Sequence, residues 1–123
     1  MSRHNDANET SKLLCDLLFV ELEQRIVGLQ RSPTSTSCGL FQEGHSRFAY
    51  LYHTKTKSQI EIWCRGEVAE LERRSKRLNI RPREASGTGW EDTFPARFLI
   101  QSSDDIMEAV ELLLEVSYPA SIQ

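Results

Sequence analysis

The chain has only three cysteines, Cys15, Cys38 and Cys64, widely spaced and without a CxxC pair. A disulfide framework or a zinc site needs more ligands at closing distances, so they read as reduced thiols, and no metal or other cofactor is expected. No apolar run approaches the roughly 20 residues that a membrane span requires. The polar opening MSRHNDANET lacks the apolar region of a signal peptide. These absences predict a cytoplasmic protein that stays away from membranes.

Catalytic frames are scarce as well. A nuclease built on Glu-x-Lys would use Glu61-Ile62-Trp63, where Trp63 stands in place of the Lys and the preceding strand offers no Asp. Serine appears in no GxSxG elbow. Ser86-Gly87-Thr88-Gly89-Trp90 matches neither phosphate-binding glycine pattern and reads as a turn. The one pair that a nucleophilic mechanism can use is Cys38 with His45, brought near each other by the Glu43 to Ser46 turn. The balance points away from an enzyme.

What is present fits one domain. The chain has 123 residues, 27% of them charged, with a net charge of −3, which suits a folded soluble protein rather than a disordered one. The charge is uneven. Residues 50–85 carry nine basic side chains against five Glu, and residues 86–123 carry Arg97 alone against seven acids. One basic and one acidic face would follow, a polarity that steers a charged partner or self-assembly.

The most regular segment is Arg47 to Arg65, where two runs of period-two alternation flank a polar turn and predict a β-hairpin. Its alternation sets Phe48, Tyr50 and Tyr52 on one face and Ala49, Leu51 and His53 on the other. Phe48, Tyr50, Tyr52, Ile60 and Ile62 are the expected core.

Before it, Leu14, Leu18, Leu22, Ile26 and Leu29 predict a helix from about Ser11 to Gln30, capped by Thr10 or Ser11. Leu13, Leu17 and Val20 widen its apolar stripe, so cover on more than one flank is expected. Residues 32–38 read as a linker and Cys38 to Gln42 as a short strand.

After the hairpin, Val68, Leu71, Ser75 and Leu78 predict a helix closing at Asn79, with Arg81-Pro82-Arg83 beyond it. A strand from Arg97 to Gln101 and a last helix capped by Ser102 or Ser103 follow. The expected fold class is α+β: residues 1–10 as a flexible start, one domain over 11–118 and a tail over 119–123. Its antiparallel sheet has three to four strands with helices packed on one face, in the order α-(β)-β-β-α-β-α.

Two regions together resemble a family of small prokaryotic domains of unknown function labelled predicted transport proteins. They are the hairpin Phe48-Ala49-Tyr50-Leu51-Tyr52 with Ile60-Glu61-Ile62-Trp63, and the tail from Gly87-Thr88-Gly89-Trp90 through Ala96-Arg97-Phe98-Leu99-Ile100 to the acidic helix start. The resemblance covers about residues 13–118 and implies the same α+β layout, in domains often fused to or encoded beside DNA-processing proteins. It brings no catalytic residues, and the Lys-rich segment usual after the first strand is reduced here to Lys55 and Lys57.

The functional expectation is a non-enzymatic binding domain whose basic hairpin-and-helix surface engages nucleic acid. Lys55, Lys57, Arg65, Arg73, Arg74, Arg77, Arg81 and Arg83 are the candidate phosphate contacts, and Trp63 or Trp90 the stacking group. The alternative is a protein-interaction module, subunit or small inhibitor that docks a partner, or a second copy of itself, through the charged faces.

Overall fold

The computed structural model describes residues 9–33, 37–53, 59–82 and 93–117. Helix α1 (Glu9–Glu23) leads into strands β1 (Leu29–Pro33), β2 (Ser37–Gln42), β3 (Arg47–His53) and β4 (Ile60–Cys64). Helix α2 (Val68–Arg74), the two-residue strand β5 (Arg81–Pro82), strand β6 (Ala96–Ile100) and helix α3 (Ile106–Val116) complete the described order. A 3-10 turn at Ser103–Asp105 starts the last helix. The six strands form one sheet in the order β1-β2-β3-β4-β6-β5, with every neighbouring pair antiparallel.

The α+β class and the single antiparallel sheet agree with the sequence reading, but the sheet has six strands rather than three or four. Both extra strands fall where the sequence pattern predicts other structure. The apolar spacing predicts residues 29 and 30 within the first helix, which ends at Glu23. Gly28, at φ +79°, takes a left-handed conformation that suits glycine, and its carbonyl accepts from Glu43 N at 3.1 Å. The chain thus turns out of the helix and Leu29 starts β1. Likewise, Arg81-Pro82 is a short edge strand beside β6, where proline's missing N–H is tolerated.

Register decides which face is core. Leu51 stands opposite Ile62, and Ile62 opposite Phe98; Ala49 stands opposite Cys64, and Cys64 opposite Ala96. These side chains are buried and share one cluster with Leu14, Leu18 and Leu22 of α1 and Val110 and Leu113 of α3. Leu71 of α2 joins the same cluster, so the described helices lie on one face of the sheet. Burying each large aliphatic chain there contributes about 1.5–3 kcal/mol.

Tyr50 and Tyr52 are therefore not core partners of Ile60 and Ile62. Tyr50 pairs with Trp63 and Tyr52 with Glu61 on the opposite face, and both tyrosines are half-buried. Phe48 does reach the core, for a different reason. Leu40 opposes Ala49 while Phe41 opposes Arg47, leaving Phe48 as the extra residue of a β-bulge.

Two further expectations change. Leu13, Leu17 and Val20 are exposed at 56%, 40% and 48%, so α1 is covered on one flank only. Ser11 is buried and donates to the carbonyl of Gln59 at 2.5 Å, tying the first turn of α1 to the start of β4.

Helix α2 stops at Arg74, short of Asn79, because an acceptor from another helix takes over the next N–H groups. The Glu108 carboxylate of α3 accepts from Ser75 Oγ at 2.7 Å and from the backbone N–H of Arg77 at 3.1 Å, and is also bonded by the Lys76 N–H. Ser102 caps the final helical segment as expected, accepting from Asp104 N at 3.3 Å.

Candidate functional site

The sheet face turned away from the helices carries the candidate site. One row crosses all six strands: Ser32, Gly39, Tyr50, Trp63, Arg97 and Arg81, each the register partner of the next. Adjacent strands lie about 4.8 Å apart, so the row runs roughly 24 Å. Aromatic rings occupy its middle and guanidinium groups its two ends.

At the β1–β2 end, Arg47 lies across Gly39 and donates to Ser32 Oγ at 3.0 Å. Gly39 makes room for it, since a Cβ there would come within 2.7 Å of Arg47 Nε. In the middle, Tyr52 and Trp63 have ring centroids 4.1 Å apart at 46°. Phe94 meets Tyr50 edge-on at 5.2 Å and covers part of that ring. Trp63 Nε1 donates to Glu61 Oε2 at 2.8 Å, which fixes the indole against the sheet while its ring stays half-exposed.

At the other end a cleft of about 590 Å³ opens where β6 meets the segment after α2 and the turn before α3. Arg77, Arg81 and Arg97 line it together with Glu61 and Asp105. Arg97 pairs with Glu61 at 3.2 Å, and Arg77 with Asp105 at 3.3 Å. Arg81 is exposed directly opposite Arg97.

The expected basic surface is thus redistributed. Arg73 pairs with Glu70, and Arg74 with Glu70 at 3.1 Å and Glu115 at 3.4 Å, so the helix cations are offset by the chain's own acids. Arg65 follows β4 and is half-buried, its N–H donating to Phe48 O at 3.0 Å. Arg77, Arg81 and Trp63 come together along the outer face and its cleft, whereas Lys55, Lys57, Arg83 and Trp90 lie outside the described residues. Sequence reading missed Arg47, Tyr50, Tyr52 and Arg97 as site residues. For Arg97 a signal existed, because Ala96, Phe98 and Ile100 alternate inward and leave Arg97 and Leu99 facing out.

The three cysteines are buried in the core on the helix-covered face. Cys38 meets Cys15 of α1, while His45 is exposed in the turn after β2, so the expected Cys38–His45 pair gives way to a thiol pair. The hydrogen bond with Cys15 lowers the Cys38 thiol, against burial and with help from Arg31; the same bond, with burial, raises Cys15. Burial alone pushes Cys64 up to about 12, as befits a small core residue. Among the described residues no group of three or more His, Cys, Asp or Glu is placed to hold a metal ion, and no helix is long and apolar enough to cross a membrane.

No protein-family model, curated protein or solved structure matches the chain. The site therefore rests on its own geometry.

Proposed function

We propose that the protein is a non-enzymatic domain that binds single-stranded nucleic acid across the outer face of its sheet. The observation that carries this reading is the row itself, with Tyr50 and Trp63 side by side between Arg47 at one end and Arg97 and Arg81 at the other. Half-exposed ring faces can stack bases whatever their sequence, and guanidinium groups spaced along the row meet phosphates. A duplex hides its base faces and leaves the rings nothing to stack on, so preference for single strands follows.

Fluorescence anisotropy of a labelled oligothymidylate tests this. Three phosphate contacts predict a slope of log affinity against log salt near −2, and Trp63→Ala is expected to weaken binding about tenfold or more. Absent or salt-insensitive binding, or equal affinity for duplex, overturns the reading.

A second reading, a module that pairs with a copy of itself, has one observation in its favour. Leu13, Leu17 and Val20 lie at helical spacing on the exposed side of α1, the pattern of an apolar helix face seated on a partner. Sedimentation equilibrium decides it: a dimer that Leu17→Glu dissociates supports the reading, and a monomer at every concentration removes it.

A further inference from the structure

The outer row ends at β5, the edge of the sheet, and the cleft opens at that end. Three features there do nothing for the fold. Arg81 and Arg97 stand directly opposite each other on neighbouring strands, where like charges repel. The Arg97 Nε–H is shut off from solvent with no acceptor among the described residues, although Nη1 is held by Glu61. Such an unmet donor carries a desolvation cost. Finally, among the described residues three arginines line the cleft against two carboxylates, an excess of positive charge.

A phosphoryl group answers the like-charge pair and the excess charge together. Its oxygens separate the two guanidinium groups, supply acceptors for both and neutralise the excess, in the fork geometry that suits arginine and phosphate. The volume of about 590 Å³ also leaves room for the rest of a nucleotide. Leu99 and Phe98 offer apolar surface there, and Asn79 and Ser102 polar groups. Because β5 is the last strand of the described sheet and the cleft opens there, a strand laid across the row reaches its end at this site.

The geometry points to a phosphomonoester site: Arg81 and Arg97 hold the terminal phosphate of a single strand laid across the outer face. This rests on the proposed reading of that face, but the cleft is testable separately, since a free nucleoside monophosphate presents the same group.

The experiment compares one oligothymidylate with a phosphate at either terminus against the same oligomer with hydroxyl ends, alongside thymidine monophosphate and inorganic phosphate, by calorimetry. A terminal phosphate is expected to tighten binding about tenfold. Arg81→Gln should abolish that gain, so that phosphorylated and hydroxyl-ended oligomers bind the variant equally, each weakened by the loss of one phosphate contact. Arg81 is exposed on a two-residue edge strand, so this variant leaves the core intact. Arg97→Gln is the second variant and should act in the same direction.

Equal affinity for phosphorylated and hydroxyl-ended oligomers overturns the cleft proposal and leaves the outer-face reading standing. If no oligomer binds but thymidine monophosphate binds and Arg81→Gln removes it, the outer-face reading falls and the cleft site stands. Binding by neither overturns both. Inorganic phosphate separates a site for the phosphoryl group alone, which it saturates, from one that also needs the nucleoside, which it does not.

Discussion

The two faces of this sheet are built from the same strands and differ at every alternate residue. The inner face sets Leu51, Ile62 and Phe98 in one row and Ala49, Cys64 and Ala96 in the next, all sealed under helices. On the outer face, Tyr50, Trp63, Arg97 and Arg81 occupy one row, and Tyr52, Glu61 and Leu99 another, with rings half-exposed and guanidinium groups at the margin. Both faces contain large apolar side chains. What separates them is the partner: aliphatic chains without polar atoms suit a dry interface, whereas phenol, indole and guanidinium keep a polar end that needs water, another side chain or a ligand. The inner face is organised for stability and the outer face for contact.

The largest effect should fall on the inner face. Ile62 is fully buried between Leu51 and Phe98, and Ile62→Ala is expected to cost about 2–5 kcal/mol in urea unfolding. Trp63 is its neighbour in sequence and faces the other way. Trp63→Ala gives up the Tyr52 contact and the Glu61 hydrogen bond, an expected loss of about 1–2 kcal/mol. The two substitutions sharpen the comparison when read together: the first should lower stability most, the second nucleic-acid affinity most. Equal stability losses would break it, making the outer face a second core.

Much of this division was present in the alternation of residues 47–65, and the missing part was register. Strands Arg47–His53 and Ile60–Cys64 fall where the hydrophobic pattern set them. Alternation groups residues within each strand, but pairing across the hairpin is set by the connecting segment, and a shift of one residue exchanges the faces. Alternation alone leaves Tyr50 and Tyr52 on the same face as Phe48, and groups them with Ile60 and Ile62 as core only if the register allows it. The pairing of His53 with Ile60 and Leu51 with Ile62 excludes that grouping. The bulge at Phe48 then restores one bulky ring to the core, which no period-two pattern anticipates.

The candidate site was less legible for a related reason. Arg73 and Arg74 stand free in a linear count of charge, yet Glu70 is one helical turn away and Glu115 meets Arg74 from the last helix. Arg97 is the single basic residue in an acidic stretch of sequence, yet the sheet sets it between Trp63 and Arg81. Charge is read along the chain, and a binding row runs across it.

A third test concerns the wall of the cleft, which belongs to neither face. Residues 75–78 are held by the Glu108 carboxylate, and Glu108→Ala should cost about 1 kcal/mol, discounted because this side chain is partly open to solvent. Burial raises the Glu108 carboxyl, but bonds from Ser75 and the N–H groups of Lys76, Arg77 and Leu78 outweigh it and hold the group below its ordinary value of 4.5. A depressed folded value means that the stabilisation is complete above 4.5 and is lost as pH falls through the lowered value. The native protein should therefore lose stability more steeply than Glu108→Ala below that pH. Parallel curves would show that the carboxylate does not hold the wall.

The smallest expected effect lies at the margin of the inner face, where His53 ends β3 opposite Ile60. Partial burial, and then the charge of Lys12 on α1, lower its imidazole below 6.5, with Asp16 opposing. The folded state thus disfavours the charged ring relative to the unfolded chain. Stability should be full above pH 6.5 and decline as pH falls from there toward the lowered folded value, by less than about 1 kcal/mol for so exposed a group. His53→Gln should flatten the stability profile in this window, and Lys12→Gln should reduce its slope. The outer face carries no histidine among its paired residues, so nucleic-acid affinity should not follow this titration. If affinity and stability fell together between pH 7 and 5.5, within the ordinary histidine range, the two faces would be energetically coupled through β3.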